Sequence, residues 1–169
     1  MWFIQATTRR KHLVKVTAEL VFGGRRNKGI SMKLVINRCY GGFGLSGAAV
    51  ALYAEQKGFI LYPETKGSLN LTTYWKVPPE QRVKDYENWY GLTVEERQAY
   101  NKAYTEQTLN EREIPRDDAD LVFVVEALGD LASGDCAKLG IVEVPDGVAW
   151  EISEYDGFER VEEAHRSWS

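Results

Sequence analysis

Cysteine and histidine are scarce in this chain of 169 residues, which contains two of each. Cys39 and Cys136 lie far apart and have no metal-type spacing, which argues against a structural zinc site. Two isolated cysteines are typical of reduced thiols in the cytoplasm rather than of a secreted disulfide framework. We therefore expect a cytoplasmic protein with no metal and no cofactor.

Long hydrophobic runs are also absent. No apolar stretch approaches the roughly 20 residues that a membrane-spanning helix needs, so we expect no membrane association. What is present is ordinary for a globular domain, with 44% hydrophobic, 27% charged and 12% aromatic residues. Such a composition argues against disorder, and the length fits one domain.

Acidic residues are nearly missing from residues 1–31, which hold seven basic residues and only Glu19, a charge of 7 − 1 = +6. The other 138 residues hold 14 basic and 24 acidic residues, a charge of −10. A basic arm can bind nucleic acid, but we favour another interpretation. Met32 directly precedes the first strand, and Lys28-Gly29 can be encoded by a purine run that resembles a bacterial ribosome-binding site. We predict a globular domain over 32–169, with 1–31 as a translated leader.

Residues 33–58 show the pattern of a strand, a glycine turn and a helix. Leu34, Val35 and Ile36 run together, which is typical of a buried strand. Ser46 is a good N-cap for a helix over 46–57, and Gly58 stands where a C-terminal cap belongs.

Residues 59–115, called the insert below, are less regular, and we interpret them as an insertion into one core rather than a separate domain. "SLNLTTYW" alternates like a half-buried strand. Thr93 and Glu96 form a capping box before a helix on which Tyr100 and Tyr104 share one face.

Order returns after the insert. Asp118 can cap a helix over 119–133, and "PDG" predicts a hairpin turn between strands 139–144 and 148–154. A short last helix is expected from Phe158 to Trp168. The predicted fold is a single α/β or α+β domain. Its small sheet contains 33–38 as the central strand, with 139–144 and 148–154, and helices 46–57 and 119–133 cover one face.

Three segments carry a resemblance to a known family: "KLVINRCYGGFGLS", "LVFVVEALGDLASGDCAKLGIVEVPDGVAWEISEYDG" and "ERVEEAHRSW". They resemble small uncharacterised proteins of bacteriophages and prophages. The resemblance covers about 33–58 and 114–168 and leaves out the insert. It implies no activity, only a setting, which is a phage accessory gene that acts in the bacterial cytoplasm.

The glycine turn is the first candidate site. A strand end, a glycine-rich turn and a helix start bring backbone N–H groups and a positive helix end together, as anion sites require. "GGFG" is nonetheless neither a dinucleotide fingerprint nor a phosphate loop, and glycines also permit tight packing. The predicted ligand-binding residues are Arg38, Tyr40, Gly41, Gly42, Phe43, Gly44, Ser46, Arg116 and Arg166.

Two further candidates remain open. Cys39 could be a nucleophile with His165 as its base, although most free cysteines are simply buried thiols. The cluster Asp117, Asp118 and Asp120 could bind a metal, but a helix cap explains it better.

The preferred functional interpretation is a protein that binds a small anionic or nucleotide-like ligand, such as a host signalling nucleotide. The alternative is an inhibitor that binds a host bacterial protein, and a third possibility is an enzyme that uses Cys39. Nucleic acid is not favoured as a partner, and self-association into a homo-oligomer stays open.

Overall fold

The computed structural model describes residues 31–68, 71–86 and 88–164. This part of the chain contains seven strands and three helices and has the α+β fold that the sequence predicts. The strands are β1 Ser31–Asn37, β2 Tyr62–Lys66, β3 Leu71–Trp75, β4 Thr108–Leu109, β5 Leu139–Pro145, β6 Trp150–Tyr155 and β7 Phe158–Glu163. The helices are α1 Gly47–Lys57, α2 Val94–Gln107 and α3 Ala119–Leu128.

The core forms where α3 packs against β1 and β5 and where α1 packs against α3. Leu34 and Val35 of β1 are fully buried, as are Val50 of α1 and Leu121 and Val124 of α3. Each such side chain contributes about 1.5–3 kcal/mol by leaving water. The predicted buried strand is therefore confirmed, with burial over 34–37, whereas Arg38 lies one residue past its end and is exposed.

Local cap signals set the helix boundaries. The Ser46 hydroxyl accepts the Ala49 N–H, and Gly58 ends α1 with a φ of 75°. Asp118 caps α3 by accepting two backbone N–H groups, and the predicted 119–133 segment continues past α3 as a 3-10 turn over Gly129–Ala132. These caps satisfy backbone groups that a helix end leaves without partners.

The sheet differs from the prediction. β1 pairs antiparallel with β5, from Ser31 opposite Pro145 to Asn37 opposite Leu139, and has no second strand beside it in the described part. β6 pairs with β7 instead of joining this sheet. The central position predicted for 33–38 and the inclusion of 148–154 are therefore wrong.

The reason lies in the turns. Gly147 adopts the expected positive φ, but the strands on either side of it do not pair with each other. Asp156 and Gly157, with φ values of 50° and 83°, instead make the two-residue turn that closes a hairpin. Phe158–Glu163 is consequently a strand, so the predicted last helix is wrong there, and its remainder beyond residue 164 lies outside the described residues.

The other edge of β1 is covered without a strand. The Val35 N–H donates to the Arg116 carbonyl at 2.8 Å. The Asn37 N–H donates to the Glu159 carboxylate, also at 2.8 Å. These acceptors do what a neighbouring strand would do, since an open edge would leave backbone groups unpaired.

The insert forms a small sheet of its own in the order β2-β3-β4, with α2 between β3 and β4 in the chain. The capping box of Thr93 and Glu96 is confirmed at the start of α2. Tyr74 and Leu109 of this sheet pack against the main core, which positions the insert beside it.

Candidate functional site

Two of the glycines in "GGFG" serve close packing of the backbone. A Cβ on Gly41 would lie 1.6 Å from the carbonyl oxygen of Cys136. Gly42 has a φ of 86°, and a Cβ on Gly157 would lie 2.4 Å from the Gly42 nitrogen. A Cβ on Gly42 or Gly44 would meet nothing within 4 Å, so of the three only Gly44 has both open space and a backbone conformation that accepts a side chain. The turn is therefore held against residue 136 and the β6–β7 hairpin rather than standing open as a cradle.

Arg38 and Ser46, which were predicted to help bind an anion, already have partners of their own. The Ser46 hydroxyl donates to the Leu131 carbonyl at 2.7 Å and accepts the Ala49 N–H at 3.1 Å. Arg38 donates to the Ile141 carbonyl at 2.8 Å, so its side chain extends along β5. Neither side chain contributes to the site assembled below.

Arg116 is the predicted residue that the structure brings to the glycine turn. Its guanidinium donates to Glu159 at 2.8 Å, and the two side chains are only 13% and 7% exposed. The guanidinium carbon lies 3.4 Å from the centre of the buried Phe43 ring. Two further donors, Nε and Nη1, are buried and have no hydrogen-bond partner among the described residues. Such orphan donors are uncommon, and they favour acceptors from outside the protein.

Asn37 and Glu159 connect this arginine to the rest of the fold, and sequence reasoning missed both. Asn37 is fully buried, and its amide donates to the carbonyls of Cys39 at 2.7 Å and Gly157 at 2.6 Å. It also accepts the Lys138 N–H at 2.8 Å. The only sequence signal was an asparagine ending an apolar strand, whereas Glu159 is indistinguishable from the other acids of "FERVEEA".

A recess of about 240 Å³ opens beside these groups and is called the arginine recess below. Its charged lining consists of Arg112, Arg116, Glu154 and Glu159. Both glutamates already accept backbone N–H groups: Glu159 accepts that of Asn37 at 2.8 Å, and Glu154 accepts that of Gly157 at 2.7 Å. Within the described chain, the exposed Arg112 side chain makes no hydrogen bond or ion pair, so it is available to a ligand. The remaining lining comes from Gly42, Phe43 and Gly157.

The other predicted site residues are placed as follows. Tyr40 is 69% exposed, with its ring centre 5.7 Å from that of Phe158. The Cys39 sulfur lies 3.2 Å from the Asn37 side-chain oxygen and 3.1 Å from the Cys136 carbonyl oxygen. His165 and Arg166 lie outside the described residues, so the Cys39–His165 pairing stays a prediction.

The acidic cluster at the start of α3 acts as a helix cap and an ion-pair partner. Lys57 lies 2.8 Å from both Asp118 and Asp120. Burial would raise the pKa of Asp118, but hydrogen bonds from Lys57 and from the α3 backbone outweigh it and hold the pKa below its ordinary value. Over residues 31–68, 71–86 and 88–164, no group of three or more His, Cys, Asp or Glu side chains could hold a metal ion.

Comparison with protein-family models, curated proteins and solved structures found no match for this chain. In the part of the chain that the structure describes, no helix has the length and apolar character needed to cross a membrane.

Proposed function

We propose that this protein binds a small anionic ligand in the arginine recess. The observation that carries the proposal is the pair of buried donors on Arg116 that have no partner among the described residues, next to the exposed side chain of Arg112. Guanidinium groups present planar sets of donors that match phosphate and carboxylate oxygens.

The recess fits a compact anionic group better than a nucleobase. The guanidinium of Arg116 already occupies one face of the Phe43 ring, so that face is not free for stacking. Glu154 and Glu159 balance the two arginines in charge. We therefore expect modest affinity that falls as salt rises, because an exposed charge such as Arg112 is strongly screened.

The resemblance to phage proteins suggests a setting for this activity. In bacterial cytoplasm, a phage protein that captures an anionic signalling molecule would reduce its free concentration and so counteract host defence signalling. Binding of an anion in the arginine recess is compatible with that role.

Titration calorimetry with inorganic phosphate and pyrophosphate tests the proposal. Arg112→Gln should weaken binding about fivefold, on the order of 1 kcal/mol for an exposed charge. Arg116→Lys should also weaken it, because lysine keeps the charge but lacks the planar fork. Arg38→Gln makes the same charge change at the residue after β1, whose side chain lies along β5, and should bind like the wild type. Equal losses in Arg38→Gln and Arg112→Gln, or no binding at millimolar anion, would show the proposal to be wrong.

An exposed aromatic surface favours the second candidate function, inhibition of a host protein. Tyr40 and Tyr155 are 69% and 80% exposed and flank a recess of about 280 Å³ with Phe158 and Arg160. Aromatic side chains and arginine are enriched at the centres of protein interfaces.

Capture of a partner from bacterial lysate distinguishes this candidate from small-ligand binding. Tyr155→Ala should release a partner that docks on this surface. Tyr90→Ala, which truncates a 91% exposed tyrosine in the insert, should retain it. Equal retention by both variants would exclude this surface as the docking site.

A further inference from the structure

The insert contains a second cavity, of about 470 Å³, which shares no lining residue with the arginine recess. Four aromatic side chains from β3, α2 and the turn before α2 form much of its wall. Polar and charged side chains complete it. The rings are those of Trp75, Trp89, Tyr100 and Tyr104, the charged groups include Glu64, Lys66 and Asp85, and the whole is called the aromatic cavity below.

The four rings form a continuous row rather than a slot. Neighbouring ring centres are 5.3 Å apart for Trp89 and Tyr100, 6.0 Å for Tyr100 and Tyr104, and 5.3 Å for Tyr104 and Trp75. A flat nucleobase would need parallel rings roughly 7 Å apart, two contact distances, and no neighbouring pair in this row offers that gap. Both tryptophans are also turned by more than 70° from the plane of the neighbouring tyrosine, so the row is not a flat platform.

Acidic groups hold the protein's own cations at this cavity. The Lys66 ammonium lies 3.2 Å from Glu64 and 3.4 Å from Asp85. The Arg82 guanidinium pairs with Glu64 at 3.0 Å and stacks 4.9 Å from the Trp75 ring. Lys66 and Arg82 together balance the charges of Glu64 and Asp85, so the cavity is close to neutral as it stands. It becomes negative where a ligand displaces the Lys66 ammonium.

Hydrogen bonds fix the carboxylates against the aromatic row. Trp75 donates its indole N–H to Glu64 at 3.1 Å, and Tyr100 donates its hydroxyl to Asp85 at 3.0 Å. Burial, reinforced by Asp85, raises the pKa of Tyr100 to about 12, so this hydroxyl remains a donor at neutral pH.

We propose that the aromatic cavity binds an organic cation, namely a small quaternary or alkylated ammonium group. Ring faces attract cations through the quadrupole of the aromatic system, and adjacent carboxylates add to that attraction. With the Lys66 ammonium displaced, the two carboxylates outweigh Arg82 and disfavour an anionic ligand. Lys66 occupies the position between the two acids that a ligand ammonium would take, so it competes with the ligand.

Because Lys66 competes with the ligand, its removal should raise the affinity for an organic cation. Choline is the probe, and its uncharged isostere, in which a tert-butyl group replaces the trimethylammonium group, is the matched control. Binding is measured by calorimetry on the full chain at millimolar ligand. Choline should bind several-fold more tightly than the isostere.

Two variants should then move the affinity for choline in opposite directions. Lys66→Gln should bind choline several-fold more tightly, because the competing ammonium is gone, and Asp85→Asn should bind it several-fold more weakly. Lys138→Gln removes the same charge from an exposed side chain on the loop before β5 and should leave the affinity unchanged. Circular dichroism and thermal unfolding of each variant confirm that the fold is retained.

Three outcomes would overturn the proposal. They are equal binding of choline and its isostere, weaker choline binding by Lys66→Gln, and no choline binding by wild type or Lys66→Gln at millimolar concentration. Preference for an anionic aromatic compound that depends on Lys66 would reassign the cavity to the opposite class of ligand.

Discussion

The glycine turn and the aromatic cavity differ in what packs together: backbone atoms at the turn, side chains at the cavity. At the turn, backbone meets backbone, with Gly41 against Cys136 and Gly157 against Gly42. In the insert, side chains meet side chains, and charged groups remain in contact with water, as Lys66 and Asp85 show with 60% and 71% exposure. A glycine-rich stretch therefore need not mark a cradle for a ligand. Here it permits close packing, while open volume lies next to arginine and aromatic side chains.

The largest expected effect is on the glycine-turn side, at Glu159. Glu159→Leu would leave Arg116 and the Asn37 N–H without their acceptor, both in a mostly buried setting. We expect a loss of about 3–5 kcal/mol in the free energy of unfolding, the usual cost of removing one partner of a buried ion pair. Urea denaturation measures it. The same change at exposed Glu162 of β7 should cost less than about 0.5 kcal/mol, and similar losses at both positions would contradict the account.

Gly41→Ala should have the next largest effect. Its Cβ would overlap the Cys136 carbonyl, so the backbone must move, at a cost of roughly 1–3 kcal/mol for an overpacked site. Gly44→Ala is the matched control, because nothing lies within 4 Å of its added Cβ, and it should change stability by less than about 0.5 kcal/mol. Equal melting temperatures for the two variants would show that the turn is not packed as described.

Tyr100→Phe should have the smallest effect, since it removes a hydrogen bond in the less buried region. We expect a loss of at most about 1 kcal/mol near neutral pH. The pKa of Tyr100 is raised to about 12 in the folded protein, so its contribution is complete below about pH 10, the unfolded value, and is lost as pH rises through the folded value.

Denaturation at several alkaline pH values measures the difference between wild type and Tyr100→Phe. That difference should shrink between about pH 10 and pH 12. A difference that grows over this range would mean that the tyrosine hydroxyl is not held by Asp85.

Sequence reasoning succeeded where the signal is local. Ser46 and Gly58 cap the two ends of α1, Asp118 caps the start of α3, and Tyr100 and Tyr104 share a helix face. These features were predictable because caps and helical spacing depend on residues only a few positions apart.

Sequence reasoning failed where the structure depends on contacts between segments that lie far apart in the chain. The edge of β1 is covered by Arg116 and Glu159, which lie far from it in the chain, and acids like Glu159 also occupy exposed positions nearby. For the same reason, the pattern on α2 could not show that Trp75 and Trp89 extend its row of tyrosines. Strand pairing and cavity lining both depend on tertiary contacts that local patterns do not encode.

The most direct test of two separate sites is one amide and indole NMR titration, first with phosphate and then with choline. Phosphate should shift the backbone signals of Gly42, Phe43 and Gly157, and choline should shift the indole signals of Trp75 and Trp89. Each ligand should leave the signals of the other site unshifted. If phosphate instead shifts the amides at the start of α1 and leaves the arginine recess unchanged, or if both ligands shift one common set, the protein does not have the two separate sites proposed.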